Sequence, residues 1–402
     1  MDPSVLEQLV VENQSKIVFL IFDGLGGLAM PGKGGTELQV ARKPNLDQLA
    51  KESICGLLDP IHPGISPGSG PAHFALFGYD PIRCNIGRGV LSAAGVEFEL
   101  TDRDLAARVN FCTLDRNGNI SDRRAGRIST EVAARLCDKV VRNTRVPPGY
   151  ELFFMPEKEY RAVFVLRGEG LSDAIADTDP QRTGAPPLDP APTSQEARQA
   201  AGLVKDLLHQ VRGILADEHP ANMMLMRGFA KHRRYPSLWD RFKLRSLAIA
   251  NYPMYRGISR LLGMDLHPVT ADVPSQIDAL SKNFARYDFF FVHVKYADSR
   301  GEDGDFDGKV KVFEAVDPLI PLVRALNPDV LVVTGDHSTP SLLRSHSWHP
   351  VPVLLSAQSA RVDRVEAFDE ISCTAGGLGR QPAMNLMGLA LAHAGRLVKF
   401  GA

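Results

Sequence analysis

Three near-continuous apolar runs punctuate the chain: KIVFLIFDG ending around Asp23, YDFFFVHVKYAD ending at Asp298, and DVLVVTGDH ending at Asp336 and His337. Runs rich in β-branched and aromatic residues, each cut off by an acid or a glycine, mark strands buried on both faces of a parallel sheet. Between them the apolar spacing is helical, over residues 43–53 (KPNLDQLAKES), 275–287 and 309–326, the last interrupted by Pro318 and Pro321. The middle of the chain has another texture. From about Thr101 to Arg260 it is rich in arginine, and it holds a proline-rich connector, DPQRTGAPPLDPAP over residues 179–192, too rigid and polar for a core element. Thr193 then opens a TxxE capping box before an amphipathic helix with Ala197, Ala200, Val204, Leu207, Leu208 and Val211 on one face. The pattern predicts an α/β fold in two parts. A discontinuous domain, residues 1–100 and 262–402, carries a mostly parallel sheet flanked by helices, and residues 101–261 form an inserted α+β cap domain.

Composition narrows the classes. At 402 residues, 44% hydrophobic and 23% charged, the chain can bury two cores, which excludes a disulfide mini-protein, a coiled coil and a disordered tail. Lys plus Arg (46) nearly balances Asp plus Glu (47), so no global field draws nucleic acid or an anionic membrane, and any anion binding is local. The N-terminus has no basic region and its first strong apolar run, Ile17–Phe22, is too short for a signal or a span. A cytoplasmic protein without nucleic-acid or membrane partners is expected. Cys55, Cys84, Cys112, Cys137 and Cys373 are odd in number and never paired as CxxC, so they read as reduced core residues.

Ligands of an open α/β sheet gather beyond the carboxyl ends of its strands. If the three strands are neighbours, Asp23, Asp298 and Asp336 converge, and such carboxylates stay ionised together only beside cations. TGDHSTP followed by HSWHPVP adds His337, His346 and His349, three of eleven histidines within thirteen residues. Carboxylate and imidazole together suit Zn, Mn or a similar ion. Ser69, in PGSGPAH, sits between glycines ahead of an apolar run. Such a residue can start a helix with its hydroxyl and N–H groups facing an anion, although GSG is equally a plain turn. ADSRGEDGDFDGK holds Asp298, Glu302, Asp303, Asp305 and Asp307, and Asp303 to Glu314 fits the EF-hand pattern. A strand rather than a helix is expected before it, so the match is taken as coincidence, with Asp298 and Glu302 kept as metal-ligand candidates. Arg123, Arg124, Arg127, Arg227, Arg256 and Arg260 form either a solvated, ion-paired face or an anion site. Guanidinium forks match phosphate and carboxylate, and glycines beside Arg127, Arg227 and Arg256 allow close approach. Asp177 and Asp179 would orient those arginines or bind substrate hydroxyls.

In order along nearly the whole chain, FDGLGG, KPNLDQLA, PGSGPAHFALFGYDP, IGRGVLSAAG, RVNFCTLD, DRRAGRIST, TGDHSTP and the GGLGR to KFGA tail resemble one family. It is the archaeal-type, cofactor-independent (2,3-bisphosphoglycerate-independent) phosphoglycerate mutases of the alkaline phosphatase superfamily. The resemblance implies an alkaline-phosphatase-like domain with an inserted cap, and interconversion of 3- and 2-phosphoglycerate in glycolysis and gluconeogenesis through a phosphoserine. It implies two divalent metals, commonly manganese, with Mg, Zn or Co as alternatives, no 2,3-bisphosphoglycerate, and a small phosphorylated substrate for a monomer or homo-oligomer. Position by position, Ser69 is similar to the nucleophile. Asp23, Asp336 and His337 with Ser69 match one metal set, and Asp298, Glu302 and His346, rather than His349, match the other. Arg256 is a catalytic candidate where the family often has lysine, and Arg123, Arg124, Arg127, Asp177, Asp179, Arg227 and Arg260 are substrate-binding candidates.

Three departures stand out. Glu302 replaces a common histidine, which makes the second set harder and favours Mn or Mg over Zn. Arg256 keeps the lysine's charge without its ability to donate a proton. PGSG in place of PGSD removes a carboxylate beside Ser69. The rival expectations are a metal-dependent phosphatase or phosphotransferase using the same residues, and a non-catalytic calcium- or phosphate-binding regulatory module.

Overall fold

A computed structural model of the chain describes residues 3–84 and 86–401. In chain order its strands are β1 (Ile17–Phe22), β2 (Ile54–Asp59), β3 (Asp104–Leu114), β4 (Ile120–Asp122), β5 (Glu151–Lys158), β6 (Arg161–Arg167), β7 (Met223–Lys231), β8 (Ser246–Ile249), β9 (Asp265–Leu266), β10 (Phe289–Val294), β11 (Val330–Gly335), β12 (Val351–Ala357) and β13 (Gly379–Pro382). They form two sheets in two compact units, residues 1–85 with 235–402, and residues 86–234.

The first unit carries an eight-stranded sheet in the order β13-β2-β12-β11-β1-β10-β8-β9, parallel except where β12 runs against β11 and β2. The three apolar runs are its centre. β1 pairs in parallel with β10 on one side and β11 on the other, and every residue of the three is buried. Phe22 lies in register with Val294 and Gly335, so Asp23 and Asp336 leave their strands side by side. The expected helices form as Pro44–Lys51, Val273–Asn283 and Phe306–Val316, the last separated from Ile320–Ala325 by a 3-10 turn at Pro318.

The second unit is an antiparallel sheet in which β3 pairs with β4, β6 and β7, and β6 with β5. Its long helix runs Arg198–Ile214 and buries Ala200, Val204, Leu207, Leu208 and Val211; Ala197, in the turn before it, is buried too. The expected capping box at Thr193 does not form. A 3-10 turn, Gln195–Ala197, precedes the helix, and the Thr193 N–H is spent on the Ala174 carbonyl.

The unit boundaries differ from those expected at 101 and 261. The helix Arg88–Gly95 packs on β3, closely enough that a Cβ on Gly89 would meet the Ala106 carbonyl at 2.2 Å. β8 instead extends the large sheet through β10, so Arg256 and Arg260, on the helix Pro253–Leu261, belong to the first unit.

The C-terminal segment of the first unit is tied down by Arg396, which has no exposed surface. It donates to the carbonyls of Asn13 (2.9 Å) and Ser15 (3.0 Å) and to Ser15 Oγ (2.9 Å), and lies 3.5 Å from Asp288. Arg396→Met is expected to lower the unfolding free energy by about 3 kcal/mol, because two part-buried carbonyls lose their donor and Asp288, still held by Arg245, loses its second cation. Urea titration of both proteins measures this, and a loss below about 1 kcal/mol would contradict it.

Candidate active site

Asp23, Asp336 and His337 follow adjacent strand ends, and one ligand atom from each lies within 4.8 Å of the other two. All three are fully buried. His337 Nε2 stands 3.1 Å from Asp336 Oδ2 and 3.5 Å from Asp23 Oδ1, and neither oxygen has a hydrogen-bond partner. Burial and the Asp336 carboxylate push Asp23 up to about 7, against the pull of Lys295. Burial also raises Asp336, with His73 opposing.

The tautomer of His337 follows from Thr339. Its hydroxyl donates to Asp298 Oδ1 at 3.0 Å, a carboxylate oxygen that only accepts, so it receives its 3.0 Å bond from His337 Nδ1–H. Burial and the neighbouring His346 push His337 down to about 4, so Nε2 carries a lone pair. Two carboxylate oxygens without donors and an imidazole lone pair, all facing one point, are a donor set that fits a divalent cation.

A second group adjoins the first. Asp298, on the helix Tyr296–Asp303, stands 3.3 Å from His346 Nε2, and the rings of His346 and His337 stack at 3.7 Å. Burial alone would lower His346, but its bond to Asp298 raises it to about 9, with the Pro67 carbonyl, 2.9 Å from Nδ1, adding to this. Burial would raise Asp298, yet His346 and Lys295 hold it well below the usual carboxylate range. Asp298, His337 and His346 are the close set. Glu302 lies outside it, half exposed, with Oε1 3.9 Å from His346 Nε2. His349 is in neither group; its Nδ1 meets Ser347 Oγ at 3.0 Å.

Ser69 is the first residue of the helix Ser69–Leu76, with Gly68 extended before it. First-turn N–H groups lack intrahelical acceptors and favour negative charge. Ser69 Oγ lies 3.1 Å from His337 Nε2, which joins the loop hydroxyl to the strand-end carboxylates. One turn on, His73 Nδ1 donates to the Ser69 carbonyl at 2.8 Å and stands 3.5 Å from Asp336 Oδ2. Gly24 turns the chain after Asp23 at φ +68°, where a Cβ would meet Thr339 Oγ1 at 2.6 Å and the Asp298 Cα at 2.8 Å.

Three neighbours of this cluster carry no spacing signal that singles them out in the sequence. Lys295 Nζ bridges Asp23 Oδ2 (2.8 Å) and Asp298 Oδ2. Burial lowers it, but the two carboxylates win and hold its ammonium above the usual lysine range. Its one clue is its place a helical turn before Asp298. Tyr255 donates to Asp23 Oδ2 across 232 residues of sequence and packs its ring, tilted by 33°, against buried His293 with the centroids 3.8 Å apart. Thr339 links the two groups as described above. The neighbouring Arg256, also buried, turns its guanidinium to the carbonyls of His267 (2.6 Å) and Ala250 (3.3 Å), while Arg260 is exposed.

The EF-hand-like stretch is preceded by a helix after all, yet its acids are engaged otherwise. Asp305 caps the helix Phe306–Val316 through Gly308 N (2.9 Å), Asp307 pairs with Lys33 at 2.7 Å, and Glu314 accepts from Arg42 N at 3.0 Å.

In the second unit, Asp179 is buried and takes a two-point bond from Arg123 (3.1 and 2.6 Å). Burial would raise Asp179, but Arg123 lowers it below the usual range. Arg227 lies 3.7 Å from Asp179 and 3.6 Å from Asp177, and its buried Nε has no hydrogen-bond partner. Arg108 stands opposite Arg227 in the β3/β7 register, and a Cβ on Gly228 would meet that of Arg88 at 2.7 Å. Arg88 and Arg108 therefore adjoin Arg227, which shares Asp179 with Arg123, a grouping set by β3/β7 pairing and by the packing of the helix Arg88–Gly95, and invisible in sequence order. Arg124 and Arg127 are exposed.

Comparison with known proteins matches this architecture. The profile of the family described as 2,3-bisphosphoglycerate-independent phosphoglycerate mutase matches residues 50–222. The chain is 48% identical over 401 residues to a probable 2,3-bisphosphoglycerate-independent phosphoglycerate mutase of Thermus thermophilus, covering 99% of each. Among solved structures it is similar to the cofactor-independent phosphoglycerate mutase from Thermoplasma acidophilum (30% identity, TM-score 0.70, 94% of this chain and 100% of that one). It is also similar to a protein from Pyrococcus horikoshii (26% identity, TM-score 0.83, 97% and 100%). Full-length identity at this level, over a chain that gathers these strand-end acids and Ser69, means that the protein belongs to the 2,3-bisphosphoglycerate-independent phosphoglycerate mutase family.

Proposed function

We propose that the protein interconverts 3-phosphoglycerate and 2-phosphoglycerate by passing the phosphoryl group through Ser69. The observation that carries this reading is Ser69 Oγ at 3.1 Å from His337 Nε2, at a helix N-terminus beside the buried carboxylates of Asp23 and Asp336. Asp23, Asp336 and His337, with Ser69, would hold one divalent cation. Asp298 and His346 would hold a second, completed by Glu302, since the single Nε2 lone pair of His337 serves one ion. The oxygen-rich second set favours manganese or magnesium. Bound cations would stabilise the Ser69 alkoxide and neutralise charge on the transferring phosphoryl group.

The residues of the chain account for the rest. In the metal-free site the Nδ1–H tautomer leaves His337 Nε2 as an acceptor facing Ser69 Oγ–H, which holds the hydroxyl at the cluster; the same lone pair would turn to the cation once one is bound, with Ser69 Oγ already beside it. In the first half-reaction the P–O bond to the substrate's 3-oxygen breaks as the bond to Ser69 Oγ forms, and the proton that Ser69 gives up ends on the leaving 3-oxygen. In the second the 2-hydroxyl loses its proton and attacks phosphorus, the P–O bond to Ser69 breaks, and Ser69 Oγ takes the proton back. Glycerate has to stay bound in between, with water excluded. Arg123 and Arg227, oriented by Asp179 and Asp177, offer the forks that hold a carboxylate or phosphate, and Arg88 and Arg108 lie in the same group. No helix among the described residues is long and apolar enough to cross a membrane, and a cytoplasmic enzyme of glycolysis fits the reading.

Incubating the manganese-loaded protein with 3-phosphoglycerate and following phosphorus NMR tests it. The 2-phosphoglycerate resonance is expected to grow to a fixed ratio without added 2,3-bisphosphoglycerate. Release of inorganic phosphate instead would make the protein a phosphatase.

A further inference from the structure

Lys309 belongs to neither cluster, yet it is fully buried in the first turn of the helix Phe306–Val316. Its Nζ donates to the carbonyls of Gly26 and Thr339, each at 2.9 Å. Gly26 follows Asp23 by three residues and Thr339 follows His337 by two, so one ammonium joins the loops that leave β1 and β11. The same two loops meet through Thr339 N, which donates to the Gly26 carbonyl at 3.0 Å. Glu37 supplies the countercharge. It is fully buried, with Oε1 3.9 Å from Lys309 Nζ and 2.9 Å from Ser341 N. The packing leaves little slack, since a Cβ on Gly27 would meet Glu37 Oε2 at 1.9 Å and one on Gly301 would meet the Thr339 carbonyl at 2.1 Å.

Thr339 transmits the tie. Its backbone is held by Lys309, and its hydroxyl touches one member of each group, Asp298 at 3.0 Å and His337 at 3.0 Å. Partners behind the ligating atoms fix ring orientation and tautomer, and losing one typically costs roughly 10–100-fold in metal affinity. A buried lysine is costly to desolvate, and two hydrogen bonds to loop carbonyls are what this one makes. We propose that Lys309 is a positioning residue for both candidate metal groups, acting through Thr339 to hold Asp298 and His337 in their binding geometry. The proposal rests on the reading of those groups as metal ligands.

Manganese binding to the full chain, measured by isothermal titration with Mn²⁺ alone, tests it alongside the melting temperature of the metal-free proteins. Lys309→Met is expected to bind Mn²⁺ at least about tenfold more weakly than wild type. Lys309→Met/Glu37→Gln removes both buried charges. It is expected to melt above Lys309→Met, because Glu37 no longer leaves an unpaired buried carboxylate, and yet to bind Mn²⁺ as weakly as the single variant, a combination that a merely structural role would not give. It also carries the test if the single variant fails to fold. Thr339→Val is expected to weaken binding similarly and Thr339→Ser to retain it. Wild-type affinity in a folded Lys309 variant would overturn the positioning role, and wild-type affinity in Thr339→Val would overturn the route through Thr339. Wild-type protein that binds no Mn²⁺ would instead overturn the metal reading itself, and the proposal with it.

Discussion

Ser69→Ala is expected to slow the interconversion of 3- and 2-phosphoglycerate by at least about 10⁴-fold, the scale on which enzymes lose rate when a covalent nucleophile is removed. The side chain is small and nearly buried at the start of a helix whose other first-turn contacts do not depend on its hydroxyl. Fold and melting temperature should therefore change little. Two equivalents of Mn²⁺ should still bind, because Asp23, Asp336 and His337 keep their mutual geometry. A coupled assay that consumes 2-phosphoglycerate gives the rate, and titration gives the stoichiometry. A variant that turns over at the wild-type rate would mean that the phosphoryl group never resides on Ser69. Protein that binds metal normally and has no activity even as wild type would point to the regulatory-module reading.

His337→Ala has the second largest expected effect, because His337 belongs to both groups and its Nδ1 is anchored by Thr339. Removing the ring deletes a ligand, the hydrogen-bond acceptor of Ser69 and the stacking partner of His346. Activity should fall by more than about 10³-fold. Tight Mn²⁺ binding should drop from two equivalents to one, the survivor held by Asp298, Glu302 and His346. Glu302→Ala should also leave one equivalent, but the other one, with Ser69 and His337 still in place. Electron paramagnetic resonance of free Mn²⁺ counts the sites. Two tight equivalents in His337→Ala would show that its lone pair is not a ligand, and two in Glu302→Ala would hand the second site to Asp298, His337 and His346 alone.

The amino-acid sequence determined the elements and the chemistry offered at their ends. Unbroken apolar, β-branched runs ending at Asp23 and Asp336 have the composition of strands covered on both faces, and the loop histidines and Ser69 lie in local motifs that name candidate ligands and a nucleophile. The long helix of the second unit was legible in the same way, through its buried stripe from Ala200 to Val211. Its expected cap at Thr193 was not, because a distant carbonyl, that of Ala174, takes the Thr193 N–H.

Only the tertiary structure decided which groups meet. Strand order put β1 between β10 and β11 and so brought Asp23 beside Asp336 across more than three hundred residues. It assigned β8 and the helix of Tyr255 and Arg256 to the large sheet, against the boundary read from composition, because backbone pairing with β10 leaves no trace in the arginine content of the segment. It also set Lys295, Tyr255, Thr339 and Lys309 around the acids. Each of these is a single polar residue with no periodicity, and its importance lies in hydrogen bonds and charge contacts of about 3 Å that reach across the fold. Periodic burial is written locally along a chain, whereas contacts of that length between remote residues exist only once the sheet is assembled.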